Sequence, residues 1–314
     1  KFEDYTALSR QKLEKNKSGA GSGEVFDHNK KNSADFSLWF FRAGEHKNSL
    51  QYWSSPFYSP LVENGYGFPG WHLECSAMIK RYLGNTIDIH MGGIEHVSVH
   101  HTNEIAQSEA ANGVKLANYW LHNEHLLVNN GKMSKSQGTS YSLNEIEEKG
   151  FKPTALRYFF LQSHYRSKQN FTFEALKAAQ KGLSNIESKM SKLGKEIGEV
   201  NNDFKEKFLD DLLDDFNVPK SLSIIPDILR SELSDKDKLA TIFDFDQVWG
   251  LNLNSVLDKE DQSNLSEEIK ELIFKRDEAR KNKNFIESDE IRKEIEKFGY
   301  KVEDSTDGTK VFKL

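Results

Sequence analysis

Apolar positions between Trp71 and Gly113 repeat first with the period of a helix, then with that of a strand, then again with that of a helix. The segment "HLECSAMIKRYLG" predicts a helix that ends at Gly84, and "NTIDIHMGG" predicts a short buried strand followed by a glycine turn. The segment "SVHHTNEIAQSEAANG" predicts a second helix that stops at Gly113. Such alternation is typical of an α/β layer built on a parallel sheet.

The rest of the chain is predicted to be mostly helical after a pair of strands. "LANYWLHNEHLLVNNGK" predicts strand, turn and strand, whereas "SLNEIEEKG" and "PTALRYFFLQSHY" predict helices that begin at a serine cap and at a proline. Amphipathic helices continue to about residue 300, and "YKVEDSTDGTKVFKL" predicts a hairpin with Asp307 and Gly308 in its turn. Before residue 67, "NKSGAGSGE" indicates a flexible linker and "DFSLWFFRAGEH" a strand or short buried segment.

Composition restricts the class of protein. The 314 residues carry a net charge of −6 and are 37% hydrophobic, which is typical of a globular chain with two or three domains. No apolar run approaches the roughly 20 residues that cross a bilayer, and the first residues, "KFEDYTALSR", are not a secretory signal. A single cysteine excludes internal disulfides, so we expect a cytoplasmic protein that does not enter a membrane.

The cysteine lies in a stretch rich in histidine. Residues 69 to 110 contain Cys75 and half of the ten histidines, namely His72, His90, His96, His100 and His101. Thiolate, imidazole and carboxylate are zinc ligands, and His100 and Glu104 are spaced to share one face of the predicted second helix. His90 is predicted to end a strand at the edge where α/β folds bind ligands. Spacing alone also allows a buried, unreactive cysteine among hydrogen-bonded histidines.

A second segment with candidate chemistry is "GKMSKSQGTS", residues 131 to 140. Lys132 and Lys135 bracket small residues in a loop that could close over a triphosphate and stabilise the charge of a leaving pyrophosphate. The segment lacks the spacing of a Walker loop, and a loop of lysine and serine is by composition alone a solvated surface. The specific word Lys-Met-Ser-Lys-Ser favours the nucleotide interpretation.

These segments together resemble a known family. "KMSKS" is similar to the signature loop of class I aminoacyl-tRNA synthetases, and "PGWHLECSAM" with "IDIHMGGIEHVSVHHTNEIAQSEA" resembles cysteinyl-tRNA synthetases. The resemblance continues through "PTALRYFFLQSHYRSKQNFTFEAL", "DDFNVPKSL" and "RDEARKNKNFIESDEIRKEIEKFGYKVEDSTDGTKV". It implies a fold that is α/β and then all-α: the second half of a Rossmann-type nucleotide-binding domain, a helical bundle and a small anticodon-binding domain.

The resemblance also assigns site residues. Cys75, His100 and Glu104 match three protein ligands of one zinc ion, which in that family binds the substrate cysteine through its thiolate. Trp71 and His90 match walls of the amino-acid pocket, and we expect His72 and His101 to support the ligands. Lys135 matches the lysine that contacts ATP, and Lys132 and Ser134 complete the catalytic loop. The implied activity is that of a cysteine–tRNA ligase, which activates L-cysteine with ATP and transfers it to tRNA(Cys) with no dedicated protein base in either step.

The resemblance implies a division into five segments. Residues 1–66 correspond to a remainder of the connective insertion, 67–140 to the half Rossmann domain with the zinc site and loop, and 141–180 to a region like the stem-contact fold. Residues 181–258 correspond to a helical bundle and 259–314 to the anticodon-binding domain. We expect one Zn²⁺ per chain, ATP with Mg²⁺ as substrate, and a monomer.

Two departures from the family pattern bear on activity. The His-x-Gly-His motif and a further zinc-ligating cysteine, which lie upstream in the family, are absent, and the chain begins with Lys1. We therefore expect that an amino-terminal part is missing and that this chain alone is inactive. The second departure is local, because Met91, His96 and Thr102 stand where the commoner family form has other residues.

Two alternatives to the synthetase remain. A related ligase that joins cysteine to an amino-sugar in mycothiol synthesis would share the pocket and the loop, and a non-catalytic RNA-binding protein could derive from a synthetase. The basic residues of the last segment are predicted to face RNA, which favours tRNA over the amino-sugar. They are Arg276, Arg280, Lys281, Lys283, Arg292 and Lys293.

Overall fold

The computed structural model describes residues 5–10, 30–32, 34–60, 62, 65–134, 138–258, 265–305 and 308–313. The chain divides into two compact units, one of residues 1–125 with 165–168 and one of residues 126–164 with 169–314. The predicted linker at residues 16–24 lies outside the described residues. No helix in the described part of the chain combines the length and apolar character that a bilayer crossing requires.

The first unit begins with a small antiparallel sheet. Strands β1 (Trp39–Phe41) and β2 (Trp53–Ser54) flank β3 (Tyr66–Pro69), so the predicted strand in "DFSLWFFRAGEH" is confirmed. Helix α1 (Trp71–Tyr82) follows β3 after Gly70, whose carbonyl oxygen accepts the first helical hydrogen bond from Leu73. The sheet therefore leads directly into the helix that carries the cysteine.

The rest of the first unit is the predicted α/β layer. Strand β4 (Ile87–Gly93) pairs in parallel with β5 (Ala117–Asn123), and α2 (His100–Asn112) connects them. Gly113 ends α2 in the left-handed region, with φ of 70°, as its position after the last periodic residue predicts. The predicted glycine turn after His90 is wrong in one respect, because β4 continues through Gly92 and Gly93 before a short 3-10 turn.

The second unit begins with a mixed sheet. Strand β6 (Leu126–Val128) pairs antiparallel with β7 (Gly131–Lys132) and parallel with β8 (Gln169–Phe171). Asn129 and Asn130 form the tight turn between β6 and β7 with φ of 51° and 62°, values that asparagine tolerates better than most residues. Helix α3 (Leu143–Glu148) begins at Ser142 with a capping box, and α4 (Pro153–Leu161) begins at its proline, as predicted.

Helices with a shared apolar core form the middle of the second unit. They are α5 (Phe173–Met190), α6 (Asn202–Leu213), α7 (Val218–Leu222), α8 (Ile224–Arg230) and α9 (Asp235–Trp249). The rings of Phe208 and Phe245 stack with centroids 4.2 Å apart, and the fully buried Trp249 donates its Nε1 hydrogen to Ser221 Oγ over 3.0 Å. Burial of these apolar faces holds the helices together.

The carboxyl-terminal part has its own core between two helices and a hairpin. Helices α10 (Glu267–Lys281) and α11 (Phe285–Lys297) pack with strands β9 (Tyr300–Ser305) and β10 (Gly308–Lys313). The hairpin is confirmed, but Gly308 pairs with Ser305 as the first residue of β10, and Asp307 lies outside the described residues.

The prediction that Arg276 faces RNA is wrong. Its side chain is 1% exposed, and its guanidinium donates hydrogen bonds to Asp304 and to Thr309, with an Nη1–Oδ1 distance of 2.8 Å to Asp304. Burial alone would raise the pKa of the Asp304 carboxyl, but these hydrogen bonds and the arginine charge lower that pKa below its ordinary value. Arg276 therefore joins α10 to the hairpin, and Lys281, Lys283 and Lys293 remain exposed.

Candidate metal centre and its surroundings

Cys75, His100 and Glu104 converge on one point between α1 and α2. The thiol sulfur, one imidazole nitrogen and one carboxylate oxygen all lie within 4.8 Å of one another. The helical spacing of His100 and Glu104 puts both on the face that α1 covers, and Cys75 lies one turn into α1. The three residue types that the sequence singled out are therefore close enough to share one ion.

The environment of Glu104 fits a cation. Its side chain is fully buried, its Oε1 atom accepts no hydrogen bond within the described part of the chain, and it forms ion pairs there with His90, His100 and His101. Burial raises the pKa of the Cys75 thiol, and the nearby negative charges of Glu104 and Glu74 raise it further. A divalent cation would offset both effects, because it neutralises a buried carboxylate and favours the thiolate.

His72 supports His100 from α1. The Nδ1 atoms of the two rings lie 2.8 Å apart, and both residues are more than nine-tenths buried. Burial lowers the pKa of His72 to about 4 and also lowers that of His100, so both imidazoles are neutral near pH 7. If His100 donates its Nδ1 hydrogen to His72, its Nε2 lone pair is left for an ion, which is the usual tautomer control of a histidine ligand.

A second group of donors lies on the other side of the same carboxylate. His90 Nε2 is 2.9 Å from Glu104 Oε2, and His90, His101 and Glu104 together offer donor atoms within 4.8 Å of one another. His101 is 2% exposed, and its Nδ1 lies 2.8 Å from Nε2 of His122 on β5. Burial lowers the pKa of His101 to about 3, with the neighbouring histidines adding to the effect.

His122 was not among the predicted residues. Its relation to His101 depends on the parallel register in which Gly92 of β4 faces His122 of β5. A Cβ atom added to Gly92 would lie 2.6 Å from His101 Cε1, so the absence of a side chain at Gly92 lets the His101 ring lie against β4 and reach β5. The only sequence signal was the predicted parallel sheet, which did not give the register.

The two predicted pocket residues lie beside this group. The ring of Trp71 is 57% exposed, and its centroid lies 4.3 Å from that of His100. The half-buried ring of His90 packs at 4.7 Å against that of Trp120. Both aromatic contacts border the point where the donor atoms meet.

The lysine and serine loop belongs to the second unit. Lys132 ends β7 and is exposed, and the backbone amide of Ser134 donates to Thr139 Oγ1 over 2.9 Å. Lys135 lies outside the described residues. Thr139 returns a backbone hydrogen bond to the carbonyl oxygen of Ser134, so these two residues form the base of the loop.

Comparison with known proteins identifies the family. Residues 1–181 match the family model of the class I (C) tRNA synthetase catalytic domain, and residues 262–311 match that of the cysteinyl-tRNA ligase anticodon binding domain. Cysteine–tRNA ligase 1 of Burkholderia lata is 38% identical over 99% of this chain and 63% of its own length. Cysteine–tRNA ligase of Treponema denticola is 37% identical over 100% of this chain and 68% of its own length. Among solved structures, an Agrobacterium radiobacter LeuRS matches 62% of this chain and 31% of its own at 14% identity and a TM-score of 0.46.

The chain thus spans about two thirds of the length of these curated relatives. The family models confirm the predicted fold class, a class I catalytic domain followed by helices and a carboxyl-terminal anticodon domain. Both matches and both relatives agree on one assignment: the chain belongs to the cysteinyl-tRNA synthetase family of class I aminoacyl-tRNA synthetases.

Proposed function

We propose that the protein is a cysteine–tRNA ligase that activates L-cysteine with ATP and transfers the cysteinyl group to tRNA(Cys). The observation that carries the proposal is the convergence of Cys75, His100 and Glu104 on a buried point in a chain of this family. We also propose that the protein is a monomer and that it acts in the cytoplasm. It also assigns ATP-dependent activity to the whole protein, of which this chain supplies the zinc ligands and the lysine loop.

A metal ion held by these three donor residues could select cysteine over serine. The two amino acids differ by sulfur for oxygen, and a pocket that relies on shape separates such near-isosteres poorly. A zinc ion held by Cys75, His100 and Glu104 would supply a soft Lewis acid that prefers a thiolate to an alcohol. The neutral state of His100 near pH 7 keeps its lone pair available for that role. Trp71 and His90 would wall the amino-acid pocket.

Lys132, Ser134 and Lys135 are assigned to the activation step. In that step the carboxylate of cysteine attacks the α-phosphorus of ATP, cysteinyl-adenylate forms, and pyrophosphate leaves. Lysine ammonium groups stabilise the charge on the leaving pyrophosphate, with Lys135 in contact with ATP and Mg²⁺ accompanying the nucleotide. Positioning and charge provide the acceleration, so no protein base is required.

We assign tRNA, and not an amino-sugar, as the acceptor of the cysteinyl group. The match of residues 262–311 to an anticodon-binding domain favours this choice, since a mycothiol-type ligase would not need that domain. The exposed Lys281, Lys283 and Lys293 provide positive charge that can contact phosphates there. The terminal ribose hydroxyl of tRNA(Cys) would take the cysteinyl group in the second step.

The first prediction concerns removal of the metal. Cysteine-dependent exchange of pyrophosphate into ATP, measured on the full-length protein, should fall at least about 100-fold after thorough chelation and return with zinc. Serine should support little exchange in either state. Exchange that survives removal of zinc at an undiminished preference for cysteine over serine would contradict the proposed selection mechanism.

The second prediction separates the two groups of site residues. Cys75→Ser should raise the KM for cysteine by about 100-fold or more while it changes the KM for ATP little, because only the amino acid depends on the ion. Lys135→Ala should slow adenylate formation and leave cysteine affinity near that of the unmodified protein. An equal loss of cysteine and ATP binding in either variant would indicate misfolding instead of the assigned roles.

A further inference from the structure

The carboxylate of Glu104 is shared between two sets of donors. One oxygen, Oε1, lies 3.6 Å from Nε2 of His100, the histidine that forms a donor group with Cys75 and Glu104. The other, Oε2, lies 2.9 Å from His90 Nε2 and 3.9 Å from His101 Nε2. The proposed zinc position uses only the first set. In the second set, His90 is assigned to the wall of the amino-acid pocket and His101 to support of the ligands, but the facing donor atoms of these two imidazoles and of Oε2 have no assigned ion.

We propose that His90, His101 and Glu104 form a second site for a divalent cation, with Glu104 bridging the two ions. A carboxylate that bridges two cations through its two oxygens is the arrangement of two-metal sites, where the ions are about 3.5–4 Å apart. Two imidazole nitrogens and one oxygen suit Zn²⁺ or Co²⁺ and do not suit Mg²⁺, which prefers oxygen ligands. The bridging role of Glu104 rests on the zinc position of the proposed function, whereas the donor set of His90, His101 and Glu104 Oε2 does not.

The orientation of His101 supports a ligand role. Its Nδ1 is 2.8 Å from His122 Nε2, so a hydrogen held between those nitrogens fixes the ring and leaves Nε2 directed at Glu104. This relation repeats the one between His72 and His100 on the other side of the carboxylate. A ligand histidine whose remaining nitrogen is bonded to a partner is the usual construction of a metal site.

His90 completes the group from the strand. Its Nε2 lies 2.9 Å from Glu104 Oε2, so the ring can donate its Nε2 hydrogen to that carboxylate oxygen, and a cation would replace this hydrogen. The imidazole would then carry its hydrogen on Nδ1. Because His90 is on β4 and the other two donors are on α2, the site would join the strand to the helix.

The two positions should fill in order. Cys75 supplies a thiolate to the first position, whereas the second has neutral imidazoles and one oxygen of a carboxylate that is already bound. Two anionic donors against two dications leave a net positive charge, so the second ion should bind more weakly than the first.

A cobalt titration of the metal-free full-length protein tests the proposal. The first equivalent of Co²⁺ should build a near-ultraviolet charge-transfer band from the Cys75 thiolate together with visible ligand-field bands. The second equivalent should add visible bands alone and reduce the Co²⁺ electron paramagnetic resonance signal, because the bridged ions couple magnetically. Saturation after one equivalent would overturn the proposal.

Three variants assign each equivalent. His90→Phe should remove the second equivalent and keep the first, since phenylalanine preserves the packing against Trp120. Cys75→Ser should remove the charge-transfer band and keep visible bands from the second position. His96→Gln is the matched control, because His96 belongs to neither donor group although its ring lies 5.3 Å from that of His101, and it should leave both equivalents intact.

A further variant changes the residue that orients His101 and leaves all proposed ligands in place. His122→Phe removes the partner of His101 without removing a ligand, and it should weaken the second equivalent about 10- to 100-fold while the first is unchanged. Near-ultraviolet circular dichroism checks that each variant is folded. Retention of the second equivalent at full affinity in both folded His90→Phe and His122→Phe would assign that ion elsewhere and overturn the proposal.

Discussion

At the scale of single residues, the site depends on histidines that are kept neutral. His72 and His101 are 8% and 2% exposed, and burial lowers the pKa of the first to about 4 and of the second to about 3. Each contacts another imidazole nitrogen at 2.8 Å. Because a neutral imidazole has one donor and one acceptor nitrogen, each contact decides which nitrogen of the pair presents a lone pair.

The third prediction follows from the contact between His72 and His100. His72→Phe should weaken zinc binding about 10- to 100-fold, because the His100 ring loses the partner that fixes its tautomer. The phenyl ring keeps the edge contact with Phe36, whose centroid lies 5.5 Å from that of His72, so the fold should tolerate the change. Competition with a chromophoric chelator measures the affinity. Unchanged affinity in the variant would remove His72 from the site, and His96→Gln provides the control.

At the scale of elements, local patterns were readable from the sequence and cross-element contacts were not. The periodicity around His100 and Glu104 predicted α2 and its shared face, and Gly113 predicted where α2 ends. Neither the partnership of His101 with His122, 21 residues away, nor the burial of Arg276 has a local signal. Both depend on the register of strands and on helix packing, which long-range burial decides and short-range propensity does not.

The fourth prediction compares alanine substitutions at two glycines, Gly92 on β4 before α2 and Gly113 at the end of α2. Gly92→Ala puts a Cβ atom 2.6 Å from the buried His101 ring, so it should cost about 1–3 kcal/mol of folding free energy and displace that ring. Gly113→Ala meets nothing within 4 Å but strains a backbone with φ of 70°, so it should cost about 1 kcal/mol and leave metal binding intact. Urea unfolding with zinc competition measures both effects. Equal affinity of the two variants for the second equivalent of metal would contradict the role given to Gly92, because His101 belongs to the second donor group.

At the scale of the whole chain, the two units differ in what their interiors contain. The first unit buries a group of histidines with one glutamate, whereas the helices of the second unit bury an apolar core around Trp249 and Phe245. Within the described residues, the histidines with lowered pKa values all belong to the first unit, and they are His72, His100, His101 and His122. The units should therefore respond differently to acid.

The fifth prediction is that acid weakens the first unit before the second when the protein is free of metal. The pKa values of His72, about 4, and His101, about 3, lie below the ordinary value, which is roughly 6.5. Between those values the unfolded chain binds protons that the folded chain does not, so stability falls as the pH falls from about 6.5 to about 4. The slope approaches about 1.4 kcal/mol per pH unit for each such histidine.

Hydrogen exchange at pH 7 and pH 5, corrected for intrinsic rates, should show protection lost across residues 71–123 and kept across residues 218–256. His72→Phe should flatten the slope of the first segment by about one proton. Equal loss in both segments would mean that the buried histidines do not control the acid response, since the core around Trp249 has none of these groups to titrate.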